Sequence, residues 1–400
     1  MQQTFSILST PKFITGRGSI SFLTSLGKKR IGIIRGGRSY NDNLKEKIEM
    51  LAAESGAKIQ YLAEIRNEPF IDDIFKCMDE VRSFEPDMIL AIGGGSVLDT
   101  AKAIHLFYEN PDMKFEDALI PFTLPKLGKK AVHVSVPTTS GTGSETTSVA
   151  VFIDPLTQVK KLLLDNNLIP HYAVLDADLT ESLPDSIRIA TAMDALTHAI
   201  EASTAVNASV MTRAIALESS LDILENLSDS LNNCQNANVQ ALSREKIHIA
   251  SAMAGVAITN SCTGLAHSYD HPGPAFSKAH GTVCGLMLPY TMGLCGAQPS
   301  YATLATRLGY QGNKKELSQH LIEHLFRLRE SLSLELTFEE MGIDRKEYFN
   351  RVETWSKVSL DAMATVVSPA EMTIERGIEL YDSCYYGKRP DLTSPIFMLY

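Results

Sequence analysis

The first part of the chain alternates short apolar runs of β type with helix-forming stretches. The β-type runs lie near residues 30–36, 58–65, 87–95, 131–139 and 172–179. Runs separated by helix-length segments are typical of βα units, in which parallel strands form one sheet and helices cover both of its faces. The pattern therefore predicts an α/β domain with a Rossmann-like parallel sheet.

The pattern changes beyond Pro184. Long amphipathic segments such as SVMTRAIALESSLDILENLSDSL and EKIHIASAMAGVAI follow, and strand-like runs almost disappear. Apolar positions that recur every three to four residues indicate helices that bury one face. We expect an α/β domain over 1–184 and an all-α domain over 185–400, with the polar segment 228–241 as a surface loop.

Composition is that of an ordinary globular protein. The chain has 400 residues, enough for about two domains, with 44% hydrophobic and 21% charged residues. A formal net charge of −10 disfavours general nucleic-acid binding, because such binding needs a basic field to displace counterions from phosphates. We expect no nucleic-acid partner.

Cysteine usage and the N-terminus bear on location. The six cysteines are scattered and contain no CxxC pair, which argues against a disulfide framework. The start MQQTFSILSTPKF lacks the basic and long apolar regions of a signal peptide, and no apolar run approaches the roughly 20 residues of a membrane span. We expect a cytoplasmic protein without membrane attachment.

Metal-type donors cluster in two short segments rich in small residues. MDALTHAIEA contains Asp194 and His198, and GLAHSYDHPGPAFSKAHG contains His267, His271 and His280. Asp194 and His198 are spaced to project from one helical face, and His267 and His271 repeat that spacing. One carboxylate with three imidazoles suits Fe(II) or Zn(II), and one histidine is left over for proton handling.

Another histidine pair has the same spacing in a different setting. His320 and His324 in SQHLIEHLFRLRE are surrounded by Lys, Glu and Arg, and no third donor stands nearby. We interpret this pair as part of a solvated helix face.

Two glycine-rich elements follow predicted strands. DMILAIGGGSVLDTAKAI indicates a strand, a turn at Gly93, Gly94 and Gly95, and a helix from near Ser96, where Ser96 and Asp99 fit a capping box. Such a turn lets the backbone approach a phosphate at a helix N-terminus, although an ordinary strand-to-helix turn looks the same. In VSVPTTSGTGSETTSVAVF, dense hydroxyls and exposed amides suit a diphosphate, a ribose or a nicotinamide amide. A flexible linker is the alternative, but this segment lies between two apolar runs.

These segments, in this order, resemble the iron-containing (group III) alcohol dehydrogenase family over nearly the whole chain. The resemblance rests on GGGSVLDTAKA, PTTSGTGSETT, VLDADLTESLP, MDALTHAIEA and GLAHSYDHPGPAFSKAHG, together with TPKFITGRGSI and EEMGI. It implies an N-terminal dinucleotide-binding domain and a helical domain that binds metal and substrate. The implied reaction is hydride transfer between NAD(P)H and an alcohol or aldehyde.

The resemblance also implies roles for individual residues. The metal ligands would be Asp194, His198, His267 and His280, and His271 would be the catalytic residue beside substrate and cofactor. Those near the cofactor diphosphate would be Gly94, Gly95, Ser96 and Asp99, and those lining the cofactor would be Thr138, Thr139, Thr142 and Lys161, although Lys160 competes for the last place. These roles agree with the chemistry of hydride transfer, because a metal polarises the substrate oxygen and a histidine can relay the alcohol proton.

The chain departs from the family pattern in its histidine-rich segment. Eight residues, PGPAFSKA, separate His271 from His280 where about nine are expected, so the loop needs a shorter path to bring His280 to the metal. Tyr269 and Asp270 stand where small or apolar residues are usual. We expect these two side chains to reshape the substrate pocket and to favour a polar substrate.

A further departure concerns cofactor choice. After the first long strand many NAD-using members carry an acidic residue that binds the ribose 2′-hydroxyl, whereas this chain has Arg35, Gly36, Gly37, Arg38 and Ser39. Two guanidiniums and a hydroxyl resemble a pocket for a 2′-phosphate. We predict that NADP is preferred over NAD; the alternative is that both arginines face water.

Other interpretations stay open. A non-redox lyase or cyclase like the dehydroquinate synthases would keep its NAD through the cycle, and a degenerate homologue would bind ligands without metal. The same ligands accept Fe(II) or Zn(II), and neither the alcohol or aldehyde substrate nor the direction of reaction follows from the sequence. We expect a homodimer or larger homo-oligomer.

Overall fold

The computed structural model describes residues 8–37, 39–155 and 160–393. Within it the chain forms two compact units. One unit contains residues 9–188 together with 241–259, and the other contains 189–240 and the chain from residue 260 onward. Each unit is described by itself.

The first unit is built on a parallel sheet. Six strands lie in the order β1-β8-β5-β4-β2-β3, and β6 and β7 form a separate antiparallel pair. The strands are β1 Lys12–Thr15, β2 Arg30–Gly36, β3 Lys58–Ile65, β4 Met88–Gly93, β5 Val132–Pro137, β6 Val149–Ile153, β7 Lys160–Leu164 and β8 Tyr172–Leu175. The five predicted strands and the parallel α/β class are confirmed, whereas β1 and the β6–β7 pair were not predicted.

The helices occupy most of the remaining chain. Those up to residue 118 are α1 Asp42–Ser55, α2 Ile71–Phe75, α3 Met78–Phe84, α4 Gly95–Glu109 and α5 Phe115–Ala118. The later ones are α6 Asp185–Thr204, α7 Val210–Asn226, α8 Ala237–Thr259, α9 Leu265–Ser268, α10 Pro272–Ala275, α11 His280–Cys295, α12 Pro299–Arg307, α13 Lys314–Ser331, α14 Arg345–Phe349, α15 Val352–Leu360, α16 Met363–Val366 and α17 Ile374–Tyr386. Short 3₁₀ turns occupy Ser19–Leu26, Asn166–Leu168, Ala177–Thr180 and Ser228–Ser230. No helix in the described part of the chain is long and apolar enough to span a membrane.

Strand β4 shows why the sheet is covered on both faces. All six of its residues are buried, and its side chains alternate between two hydrophobic clusters. Leu90 and Ile92 belong to one cluster, whereas Ile89 and Ala91 belong to the other. Because successive side chains of a strand point to opposite faces, a continuous apolar run requires helices on each side.

The first unit also includes most of α8, although this helix lies far along the chain. His248 Nδ1 and Ser140 Oγ are 2.9 Å apart. A Cβ atom on Gly143 would lie 2.6 Å from Gly255 Cα, so two glycines permit the close approach of loop and helix. The predicted domain boundary at 184/185 therefore differs from the two compact units mainly because residues 241–259 belong to the first unit. The loop expected over 228–241 is also shorter than predicted, because α8 begins at Ala237.

Glu109 ties down the loop before β5, and its carboxylate gives a pH-dependent prediction. It accepts backbone N–H groups from residues 128–131 and lies 3.3 Å from His105 Nε2. Although burial opposes the effect, these hydrogen bonds lower the pKa of Glu109 to about 2. A depressed folded pKa stabilises above the unfolded value of about 4.3, and this stability is lost as pH falls towards 2.

We expect Glu109→Gln to lower the free energy of unfolding by about 2 kcal/mol at pH 7, because charged hydrogen bonds are lost. Urea unfolding at pH 7 and pH 3 measures this, and the difference from wild type should shrink at pH 3. Glu116→Gln, at an exposed position of α5, is the control. If the free energies of unfolding of Glu109→Gln and wild type differed equally at both pH values, the stabilising role of the ionised Glu109 would be contradicted.

Candidate metal centre and cofactor site

Helix α6 presents three acid and imidazole side chains on one buried face. Asp194, His198 and Glu201 follow one another at spacings of four and three residues, so all lie along the same side of the helix. Asp194 Oδ1 lies 3.9 Å from His198 Nε2, 3.4 Å from His267 Nε2 and 3.6 Å from His280 Nε2. The structure thus brings together the four residues predicted as metal ligands.

Glu201 was not predicted, and it positions His267. Its carboxylate accepts hydrogen bonds from the backbone N–H groups of Gly264 and Ala266, at 2.7 and 2.6 Å, and lies 2.6 Å from His267 Nδ1. Because a carboxylate can only accept, Nδ1 must carry a proton, and Nε2 is left towards Asp194. This is the arrangement by which outer carboxylates orient metal-binding histidines. The sequence signal for Glu201 is its position three residues after His198, on the same face of α6.

Asp270 performs the same role for His280. Its Oδ2 lies 2.7 Å from His280 Nδ1, which leaves His280 Nε2 towards Asp194. The shorter loop after His271 therefore still brings His280, the first residue of α11, into the donor group. Tyr269 is 0% exposed and its ring packs against Tyr381, with ring centroids 5.7 Å apart. These contacts favour a packing role for Tyr269 and a ligand-orienting role for Asp270 over the expected reshaping of the substrate pocket.

The buried polar atoms at the centre of this group fit a cation. Asp194 Oδ1 and His267 Nε2 are buried, lie 3.4 Å apart, and have no hydrogen-bond partner within the described part of the chain. A carboxylate oxygen and an imidazole nitrogen at this distance need a positive charge between them, either a proton on Nε2 or a bound metal ion. Atoms bound to a common ion at about 2.0–2.2 Å are expected at about this separation. The donors present therefore fit a divalent transition metal.

The electrostatics agree with a cation site. Although burial opposes it, the imidazoles of His198 and His280 hold the pKa of Asp194 well below its usual range. The Cys284 sulfur and Asp194 raise the pKa of His280 well above its ordinary value against the effect of burial. The pKa of His267 is also raised, because Cys284 and Glu201 outweigh its burial. The surroundings of His267 and His280 thus attract positive charge, whereas burial lowers the pKa of His198 to about 4 and keeps that imidazole neutral.

Cys284 is a donor that the sequence analysis missed. Its sulfur belongs with donor atoms of Asp194, His267 and His280 to a group whose members all lie within 4.8 Å of one another. The available signal was its position four residues after His280, on the same face of α11.

His271 lies outside that tight donor group; His198 is also outside it, although its Nε2 faces Asp194 Oδ1 at 3.9 Å. Its Nε2 is 3.0 Å from Ser359 Oγ, and the Ser359 hydroxyl donates to Ser268 O at 2.7 Å. Since that hydroxyl has one hydrogen, His271 Nε2 must donate and Nδ1 carries the lone pair. The ring is half-buried and stacks against Trp355, with centroids 6.1 Å apart. Ser359 and Trp355 were not predicted, because they lie far along the chain.

In the first unit, the two glycine-rich elements adjoin at the carboxyl ends of neighbouring strands β4 and β5. Thr138 N donates to Gly93 O at 3.0 Å, and a Cβ atom on Gly95 would lie 2.8 Å from Thr142 Cγ2. Thr139 is the nearest side chain to Gly94, at 3.5 Å from a Cβ placed there. The carboxyl edge of a parallel sheet is where such folds bind nucleotides.

Helix α4 differs from the predicted capping box. It begins at Gly95, before Ser96, and Gly94 caps it without a side-chain hydrogen bond. Asp99 instead accepts from Ser144 Oγ at 2.5 Å and from Val151 N at 3.0 Å. An N-terminus without a side-chain cap keeps backbone N–H groups for a phosphate, whereas Asp99 holds the neighbouring loop.

The predicted 2′-phosphate residues are only partly described. Arg35 pairs with Glu64 at 2.5 Å, and Arg66 binds the other oxygen of the same carboxylate at 2.5 Å. Ser39 is half-buried near Gly36, and Arg38 lies outside the described residues. Arg35 does not simply face water, because Glu64 holds it.

Two smaller predictions complete the comparison. Lys161 pairs with Phe152 across the β6–β7 ladder and is half-buried, whereas Lys160 is exposed. The prediction of a solvated face for His320 and His324 is wrong, since both are half-buried around Tyr310, which stacks on His320 at 5.1 Å between ring centroids. The sequence did not show this because Tyr310 lies outside α13.

Together, a parallel α/β unit with glycine-rich turns and a helical unit with a carboxylate–imidazole donor group define a metal-dependent, dinucleotide-using oxidoreductase. Family models agree in both halves. Residues 10–177 match the model described as iron-containing alcohol dehydrogenase, and residues 188–385 match its C-terminal counterpart. The chain belongs to the iron-containing alcohol dehydrogenase family.

Individual relatives cover nearly the whole chain. An NADPH-dependent butanol dehydrogenase from Clostridium saccharobutylicum is 34% identical over 381 residues, covering 94% of this chain and 97% of that protein. An alcohol dehydrogenase from Thermococcus barophilus is 29% identical, covering 96% and 100%. The solved structure of an iron-containing alcohol dehydrogenase from Thermococcus thioreducens is similar with a TM-score of 0.85 at 29% identity, again covering 96% and 100%.

Proposed function

We propose that the protein is a metal-dependent aldehyde reductase and alcohol dehydrogenase that uses Fe(II), with Zn(II) as the alternative ion. Asp194, His198, His267 and His280 would hold the metal. The observation that carries this proposal is the pair of buried, unpartnered atoms Asp194 Oδ1 and His267 Nε2, 3.4 Å apart. When bound, the ion supplies a Lewis acid for the substrate oxygen and the dinucleotide supplies the hydride.

The chain's own residues would prepare the reactants. Glu201 and Asp270 fix the imidazoles of His267 and His280 with Nε2 towards Asp194. The first-turn N–H groups of α4 would bind the cofactor diphosphate, with Gly94, Gly95 and Ser96 forming the turn. Thr138, Thr139, Thr142 and Lys161 would line the remainder of the cofactor. His271 Nδ1 would exchange the alcohol proton.

We also propose a preference for NADPH. Arg35 and Arg66 share the single carboxylate of Glu64, so this corner of the first unit keeps an excess of positive charge suited to a 2′-phosphate. The relative from C. saccharobutylicum is itself described as NADPH-dependent, and its butanol substrate makes butanal a sensible first aldehyde. A cytoplasmic location and a homodimer or larger assembly stay predictions.

The test is anaerobic oxidation of NADPH and NADH with butanal and other short aldehydes, using apo protein reconstituted separately with Fe(II) and Zn(II). We expect metal-dependent turnover and a higher kcat/KM for NADPH than for NADH. Equal kcat/KM values would refute the cofactor preference alone. No turnover despite bound metal and cofactor would favour the lyase alternative, in which NAD is not consumed.

A further inference from the structure

Cys284 is a buried thiol whose contacts with hydrogen-bond acceptors, among the described residues, are all long. Its side chain is 0% exposed, on α11 one turn beyond His280. The sulfur lies 3.7 Å from His280 Nδ1 and 3.8 Å from Nε2, with Ala266 O at 4.0 Å. Nearly equal distances to both ring nitrogens place the sulfur beside the ring and out of line with either lone pair. Neither contact is therefore a strong hydrogen bond.

The sulfur is instead placed among ligand atoms. Donor atoms of Asp194, His267, His280 and Cys284 all lie within 4.8 Å of one another. Atoms that share an ion at about 2.0–2.3 Å lie at most about 4.6 Å apart, so the group approaches the size of one coordination sphere. Two of its other members, Asp194 Oδ1 and His267 Nε2, are buried without hydrogen-bond partners among the described residues.

We propose that the Cys284 sulfur is a ligand of the metal in this site, in addition to the carboxylate and imidazoles. This inference rests on the proposed function, because it requires that the donor group binds a metal. The ligand set implied by the family resemblance contains no sulfur. A soft sulfur donor shifts a site of nitrogen and oxygen ligands towards Zn(II).

Co(II) is a suitable probe, because a sulfur ligand adds an intense near-ultraviolet charge-transfer band to its visible d–d spectrum. Apo protein is loaded anaerobically with Co(II), and spectra and bound cobalt per chain are measured for wild type, Cys284→Ala and Cys284→Ser. Cys384→Ala is the matched control, since Cys384 is equally buried in the same unit but lies outside the donor group.

We expect the band in wild type and in Cys384→Ala, and its loss in both Cys284 variants with cobalt still bound. The Ser variant keeps the size of the side chain, so it decides the question if the Ala variant does not fold. Cobalt-loaded wild type without the band, or a band that persists in a Cys284 variant, would overturn the proposal while leaving the metal site intact. Failure of wild type to bind cobalt would overturn the proposed metal site and this inference together.

Discussion

Replacing Asp194 by Asn is expected to remove most of the bound metal and to lower kcat for aldehyde reduction by at least about 10³-fold. Among the described residues, Asp194 is the one acid whose carboxylate faces all three imidazoles, at 3.4–3.9 Å between Oδ1 and their Nε2 atoms. A metal acting as Lewis acid contributes several kcal/mol, and about 4 kcal/mol corresponds to about 10³-fold in rate. Metal analysis and NADPH oxidation measure the two effects.

A thermal unfolding readout separates loss of metal from loss of fold. Metal raises the Tm of a protein that binds it only when folded, so added Fe(II) should raise the Tm of wild type but not of Asp194→Asn. Asp229→Asn, at an exposed position, is the control. Glu201→Gln should be intermediate, with metal affinity reduced about 10–100-fold, because it weakens the hydrogen bonds that orient His267 and its segment while all four predicted ligands remain. Full metal content in Asp194→Asn would contradict the assignment.

The sequence predicted the sheet well because its signal is local. Strands such as β4 are continuous apolar runs, and a run buried on both faces implies helices on both sides. Strand β1 and the β6–β7 pair were missed because they are short and depend on distant partners: β1 pairs with β8, about 160 residues later. The return of α8 to the first unit was also hidden, since it depends on the contact between Gly143 and Gly255.

In the metal site, too, features with a local sequence signal were predicted and those that depend on distant residues were missed. Helical spacing within one segment brought out Asp194 with His198, which share a face of α6. The same spacing was misleading for His267 and His271, because α9 ends at Ser268 and His271 only caps α10, so His267 alone of these two joins the donor group. Glu201 and Cys284 were harder to predict, because each lies in an ordinary helical segment and only the folded structure shows that it contacts the histidines. Asp99 shows the reverse error: the sequence suggested a helix cap, whereas the carboxylate binds Ser144 and Val151 of another segment. Tertiary contacts override local propensity in such cases.

Replacing His271 by Ala is expected to lower kcat by about 10²–10⁴-fold, the usual contribution of a positioned general acid or base. Bound metal should remain at the wild-type level, because His271 contacts Ser359 and Trp355, whereas the three proposed ligand histidines face Asp194. This combination distinguishes proton transfer from metal binding, since Asp194→Asn should lose both. Turnover against pH and metal content per chain are the measurements.

Ser359 offers a graded test of the same role. Its hydroxyl donates to Ser268 O, so its oxygen accepts from His271 Nε2 and leaves the Nδ1 lone pair as the base. Ser359→Ala removes this constraint, and kcat should fall less than in His271→Ala while KM for NADPH stays unchanged. His320→Ala, which changes a half-buried histidine packed on Tyr310, is the matched control and should keep wild-type kcat. Full turnover of His271→Ala at every pH would exclude proton transfer by this histidine and assign that step to another group or to water.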